Sequence, residues 1–152
     1  MSFHHVLLFL HLAAVVVWVG GMAFAYLCLR PAAGMLAPAQ RLPLWAAVFA
    51  RFFPLVWAAV AVIPASGLGM LLQVGFAQAP PAWHVMLVTG LVMIGVYLNL
   101  WFGPWRALRQ AVARDDWAAG AMALNRIRQR VGFNLVLGFV TIAVATLGLG
   151  LR

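Results

Sequence analysis

Four long apolar runs dominate the sequence, and each is long enough to cross a bilayer. They cover about residues 4–29, 44–72, 82–102 and 131–151. At about 1.5 Å per residue, a helix of about twenty residues spans the roughly 30 Å of the hydrocarbon core. Charged residues make up 8% of the chain, whereas a soluble domain carries about 25%. The sequence therefore predicts an all-α integral membrane protein, a single four-helix bundle formed by residues 1–152.

The arginines indicate which way the bundle crosses the membrane. The chain has ten Lys and Arg residues, all of them arginine, and a net charge of +8. Most lie in the first and third connectors: Arg30, Arg41, Arg106, Arg109, Arg114, Arg126, Arg128 and Arg130. By the positive-inside rule these connectors are cytoplasmic, which leaves both termini and the second connector on the periplasmic side of a bacterial inner membrane. Because the arginines are separated by apolar spans, we expect the lipid bilayer as their partner and no nucleic acid.

The third connector also predicts an amphipathic cytoplasmic helix over about residues 115–130. Trp117, Ala121, Leu124 and Ile127 recur at helical spacing. Asp115 or Asp116 is a suitable residue to cap its start. Such a helix either lies at the membrane surface or extends the fourth span.

Small and polar residues within the spans predict how the helices associate. Glycines and alanines recur in the second and fourth spans, where they allow close approach of two helices. Asn99, Asn134 and Thr141 are expected to form interhelical hydrogen bonds. Exposed small-residue faces would also suit a homodimer. The single cysteine, Cys28, excludes an internal disulfide and is expected to be a buried free thiol.

The histidines are the main candidates for chemistry, and all four lie in the predicted periplasmic half. His11 is about two turns inside the first span, and an ionisable group at that depth usually faces the bundle interior. At about 100° per residue, His4, His11, Trp18 and Met22 share one side of that helix. Imidazole suits copper and thioether selects Cu(I), so the stripe indicates copper binding. Ordinary packing explains Trp18 and Met22 equally well.

The other candidates lie on the second and third spans. His84 begins the third span, where it is either a ligand or an interfacial anchor, and Met86 follows two residues later. Arg51, about two turns inside the second span, either snorkels to the interface or pairs with an anion such as a haem propionate or a lipid headgroup. The candidate metal ligands are thus His4, His11, Met22, His84 and Met86. The only carboxylates, Asp115 and Asp116, lie in the basic connector, which argues against hydrolase and nucleotide-dependent chemistry.

Part of the first span resembles a known family. Leu10-His11 followed by Trp18-Val19-Gly20-Gly21 is similar to the first helix of the copper-resistance protein D (CopD) family, and Arg51-Phe52-Phe53 resembles the Arg-Phe that opens a later helix of that domain. The resemblance implies an inner-membrane protein linked to copper uptake or tolerance. A periplasmic copper-binding protein is the partner that such a function would require.

A second, more distant resemblance is to HemJ, the bacterial membrane protoporphyrinogen oxidase. That family has a comparable His and Trp in its first helix and Trp-x-His-x-Lys in its third. Here Trp83-His84-Val85-Met86 lacks one spacing residue and has methionine in place of lysine, which argues against the oxidase activity. The resemblance leaves open a b-type haem with His11 and His84 (or Met86) as axial ligands, and Arg51 is then the candidate partner of a propionate. Copper handling, haem binding and a metal-free structural or assembly subunit are therefore the three hypotheses.

Overall fold

The computed structural model, which describes residues 3–147, consists of four long helices. They are α1 (Phe3–Ala33), α2 (Pro38–Val74), α3 (Pro81–Ala113) and α4 (Trp117–Leu147), and each is long and apolar enough to cross a membrane. α1 contains π-helical turns at Val16–Gly20 and Ala25–Leu29, and α3 contains one at Trp101–Trp105. The prediction of an all-α four-helix bundle is confirmed. The last residues of the fourth predicted span, 148–151, lie outside the described residues.

The helices extend beyond the apolar runs at one end of the bundle. We call this the arginine end, formed by residues 30–41 and 106–130, and we call the opposite end, formed by residues 3–11 and 73–84, the histidine end. α3 continues through Gly103-Pro104, where the apolar run stops, by way of its π-helical turn. The continuation follows from composition, because Ala, Arg and Gln are strong helix formers in water as well as in lipid.

The amphipathic segment of the third connector is the first half of α4. Asp116 caps the helix, since its Oδ1 accepts a hydrogen bond from the Ala119 amide at 3.0 Å. The buried face of this segment carries Gly120, Ala123, Leu124 and Ile127. Of the four residues at helical spacing, Leu124 and Ile127 are buried, Trp117 is half-buried and Ala121 is exposed. The segment therefore extends the fourth span as one continuous helix.

Aromatic rings fill the core between α2 and α3. The Phe49 and Phe53 rings stack with centroids 5.0 Å apart, and Trp105 packs edge-on against both. The same cluster includes Trp57, Tyr97 and Trp101. On the outside, large apolar side chains such as Phe24, Phe133 and Phe139 are exposed, as a lipid-facing surface requires.

Polar side chains tie the helices to one another as predicted. Asn134 Nδ2 donates to the Met93 carbonyl at 3.0 Å, Thr141 Oγ1 donates to Thr89 Oγ1 at 2.9 Å, and Arg130 Nε donates to Asn99 Oδ1 at 2.7 Å. The expected interhelical bonds of Asn99, Asn134 and Thr141 are thus confirmed, and all of them join α3 to α4. One expectation was wrong: Cys28 is a free thiol but is exposed.

Gly138 gives a direct test of this packing. A Cβ at Gly138 would lie 3.1 Å from Val19 Cγ2 and 3.5 Å from Met93 Cε, whereas a Cβ at Gly95 would meet nothing within 4 Å. We expect Gly138→Leu to lower the free energy of unfolding by about 1–3 kcal/mol through overpacking, and Gly95→Leu to leave it nearly unchanged. Unfolding in mixed detergent micelles measures both variants. Equal stability of the two variants would contradict this packing of α4 against α1 and α3.

Candidate functional site

The His11 side chain lies in a groove that glycine opens on α2. α1 and α2 run antiparallel, and the first part of α1, Phe3–Val15, packs against α2 at the histidine end. A Cβ at Gly67 would approach His11 Cε1 to 3.3 Å, and a Cβ at Gly69 would approach Leu7 Cδ1 to 3.0 Å. The bare backbone at these two positions therefore lets α1 approach closely enough for the imidazole to reach polar atoms of α2.

The hydrogen bonds of His11 determine which ring nitrogen carries the proton. His11 Nδ1 lies 3.1 Å from the Ile63 carbonyl oxygen and 3.0 Å from Ser66 Oγ. A carbonyl only accepts, and the Ser66 hydroxyl donates to the Val62 carbonyl at 2.6 Å. Nδ1 must therefore be the donor to both oxygens. Nε2 of the neutral ring then keeps its lone pair, and among the described residues it has no hydrogen-bond partner.

His4 and His84 show the same arrangement at the histidine end. His4 Nδ1 donates to Gln73 Oε1 at 3.3 Å. His84 Nε2 donates to the Phe76 carbonyl at 3.1 Å, and its ring packs edge-on against the Phe76 ring with centroids 4.7 Å apart. Each of the three histidines thus uses one nitrogen as a donor to an oxygen. The hydrogen-bonded nitrogen orients the ring, as is usual for a histidine that binds a metal through its other nitrogen.

Neither candidate methionine lies beside His11 on α1. Met22 lies deeper in the bundle than the histidine end, and Met86 lies on α3. Met22 is 2% exposed in the bundle core, eleven positions beyond His11 and thus roughly 16 Å farther along the helix. One ion therefore cannot bind His11 and Met22 together. Met86 is half-buried on α3. Within residues 3–147 no group of three or more His, Cys, Asp or Glu side chains could hold a metal ion, so any shared site here would need fewer such ligands or a thioether.

Arg51 lies outside the bundle and away from the histidines. The side chain is exposed and bends back along its own helix, where Nη1 donates to the Ala47 carbonyl at 3.5 Å. Fifteen residues of α2 separate it from Ser66, a distance of roughly 22 Å along the helix. The structure therefore does not bring Arg51 together with His11, and the lipid-facing position is the one expected of a snorkelling arginine.

The haem hypothesis gains no support from the way α1 and α3 pack. A porphyrin held by His11 and His84 requires a wide slot between these two helices. Deeper in the bundle the space between them is closed by Trp18 and Tyr97, whose ring centroids lie 6.2 Å apart. At the histidine end both imidazoles are oriented by oxygens of α2 and of the segment that follows it. Haem binding stays a prediction.

Sequence reasoning missed the residues that orient the histidines. Ser66 is 3% exposed within an apolar span, and a serine there is a signal for an internal hydrogen bond that could have been followed. Gln73 is likewise visible as a polar residue at the end of the second span. The Ile63 and Phe76 acceptors are backbone carbonyls, which no residue type in the sequence indicates.

Comparison with known proteins gives one result. The family model described as Copper resistance protein D matches residues 46–147, a region that begins within α2 and ends with α4. The motif around His11 precedes the matched region. No curated protein and no solved structure matches the chain.

The contact between His11 and Ser66 predicts an energetic coupling between the two side chains. In a double-mutant cycle of His11→Ala and Ser66→Ala, we expect a coupling energy of about 0.6 kcal/mol and at most about 1.7, the range found for hydrogen bonds inside membrane proteins. Unfolding of the single and double variants in mixed micelles gives the value. Thr146, which bonds only within its own helix, provides the control: His11→Ala and Thr146→Ala should be additive. Additivity of the His11 and Ser66 variants would contradict the contact.

Proposed function

We propose that this chain, which belongs to the copper resistance protein D family, handles copper by binding it within the helix bundle and letting it pass from the histidine end. Membership of the family supports a copper-resistance role for a multi-pass membrane protein. The observation that carries the finer proposal is the environment of His11, the ionisable side chain that lies deepest among the four histidines.

His11 has the properties of a copper ligand that is already oriented. The Ile63 carbonyl and Ser66 hydroxyl hold its Nδ1–H, so Nε2 offers a lone pair. A metal-binding histidine commonly donates its second ring N–H to a carbonyl or carboxylate, which fixes the tautomer and raises the basicity of the ligand nitrogen. We therefore assign His11 Nε2 as the central copper ligand.

His4 and His84 are proposed to act at the entrance and Met22 beyond His11. Both entrance histidines are partly exposed at the histidine end and oriented by one hydrogen bond each. Met22 follows on α1 in the core, where a thioether favours Cu(I) over Cu(II). Because His11 and Met22 are too far apart to share an ion, copper would occupy them in succession. Met86 on α3 is a further ligand in this proposal.

The proposal also includes an orientation of the protein in the membrane and a partner that delivers copper. With the arginine end in the cytoplasm, the histidine end faces the periplasm of a bacterial inner membrane. Copper would then reach His4 and His84 from a periplasmic copper-binding protein, and a homodimer would pair two such bundles. Reporter fusions or cysteine labelling at the histidine end test the orientation independently of copper.

Copper binding by purified protein in detergent is the decisive measurement. We expect one Cu(I) to be retained per chain in competition with a coloured Cu(I) chelator. His11→Ala should abolish this binding because it removes Nε2, and Ser66→Ala should weaken it about 10–100-fold because it removes one of the two oxygens that orient the ring. His5→Ala is the matched control on the same helix, and it should bind as the wild type does. Circular dichroism checks that each variant keeps its helices.

An absorption spectrum and elemental analysis of the same samples separate the alternatives. A Soret band with stoichiometric iron, both lost in His11→Ala and His84→Ala, would show that the protein binds haem b and would replace copper as the proposed ligand. Stoichiometric binding of copper or haem that is retained in His11→Ala would refute both functions as assigned to His11. Absence of copper and iron, even after copper is added back, would favour the metal-free structural subunit.

A further inference from the structure

A cleft lies toward the opposite end of the bundle, between the last turns of α1 and the first halves of α2 and α4. We call it the arginine cleft. Its lining consists of apolar, aromatic and basic residues: Ala25, Tyr26, Arg30, Trp45, Phe49, Ile127, Arg128 and Val131. The copper proposal uses none of these residues.

Three N–H groups in and beside the arginine cleft are buried without a partner. Among the described residues, Arg41 Nε, Arg128 Nε and Trp45 Nε1 are buried and have no hydrogen-bond acceptor. Trp45 is 3% exposed, so its indole N–H is withdrawn from solvent almost completely. A buried donor left unpaired costs about 1–3 kcal/mol, and more when it is charged. Three such donors in and beside one cleft indicate that an acceptor is missing in this region.

Within residues 3–147, the charges of the cleft also lack a counter-ion. Arg30 and Arg41 both repel the half-buried guanidinium of Arg128 electrostatically. Cation–π contacts compensate in part: Arg128 lies 5.8 Å from the centroid of the Trp45 ring, and Arg30 lies 4.8 Å from that of Tyr26. The only two Asp or Glu residues of the chain, Asp115 and Asp116, are both exposed, and Asp116 already caps α4.

We propose that the arginine cleft binds the phosphate group of an anionic phospholipid. A phosphate offers several acceptor oxygens and a negative charge, which together match the unpaired donors and the three clustered cations. The cleft encloses only about 20 Å³, roughly the space of one water molecule. The surface exposed inside the cleft is apolar, so the phosphate would lie at its mouth, against the guanidinium groups, with the acyl chains along the exposed apolar surface of α1.

The surroundings favour a lipid over a soluble phosphate. The cleft lies in a multi-pass membrane bundle, close to the point where the apolar spans give way to arginines. Lipid phosphates are concentrated at that depth, and basic pockets between transmembrane helices are typical binding sites for anionic headgroups. Phe24 and Leu27, exposed on α1 next to the cleft residues Ala25 and Tyr26, provide apolar contact for the chains.

Lipid binding by delipidated protein in nonionic detergent tests the proposal. Native mass spectrometry and thermal unfolding are measured with dioleoyl-phosphatidylglycerol, with dioleoyl-phosphatidylcholine and with inorganic phosphate alone. We expect one phosphatidylglycerol per chain to bind most tightly and to raise the unfolding temperature. Arg128→Gln should weaken that binding at least tenfold. Arg126→Gln removes the same charge from an exposed position two residues away on the same helix, and it should have little effect.

A second variant separates loss of the site from loss of the fold. Trp45→Phe keeps an aromatic ring to pack on Phe49 and removes the indole N–H together with part of the indole ring, so it should fold and still weaken phosphatidylglycerol binding. Equal losses in Arg126→Gln and Arg128→Gln would overturn the proposal by showing attraction to charge alone. Stabilisation by inorganic phosphate with no Arg128-dependent binding of lipid would overturn the assignment to a phospholipid. Copper binding should be unchanged in these variants, because the two sites lie at opposite ends.

Discussion

The fold depends on the absence of water from the hydrocarbon core, which requires that polar groups there find partners within the protein. Helices satisfy the backbone, and neighbouring helices satisfy the side chains. Tyr97 donates to the Phe53 carbonyl, Asn134 to the Met93 carbonyl and His11 to oxygens of α2. Against this background the groups that keep an unused hydrogen-bonding capacity are informative. Among the described residues, Asn134 Oδ1 is one such group in the core, and the others lie at the two ends of the bundle: the Nε2 lone pair of His11 near one end and the unpaired N–H groups around Arg128 near the other.

The sequence predicted the number and placement of the helices because bilayer thickness dictates the length of an apolar run. It did not predict where the helices end at the arginine end. Hydropathy marks where the hydrocarbon ends, whereas Ala, Arg and Gln continue a helix beyond it, as they do in α3 up to Ala113 and in α4 from Trp117. The resemblance to the copper-resistance family was seen in the first span and in Arg51-Phe52-Phe53, and the family model matches residues 46–147, which follow the first motif and include the second.

The candidate site was only partly predictable, for a physical reason. His11 could be predicted as a site residue from the sequence, because burying an imidazole in an apolar span is costly unless it has a partner. Its partner was not predictable, because Ser66 lies 55 residues away and the Ile63 acceptor is backbone. The arginines were read correctly as residues that flank the spans. That several of them converge on one cleft with Trp45 follows from how α1, α2 and α4 meet, which composition does not reveal.

The tautomer of His11 bears on how charge would cross the membrane. Its ring proton resides on Nδ1, held by α2, so a cation that arrives at Nε2 displaces no proton. Passage of Cu(I) by this route would therefore be electrogenic, with one positive charge moved per ion and no compensating proton. Each such charge is worth about 2.3 kcal/mol per 100 mV of membrane potential. The hydrogen bond that orients the His11 imidazole would thus also make the direction of copper movement depend on the membrane potential.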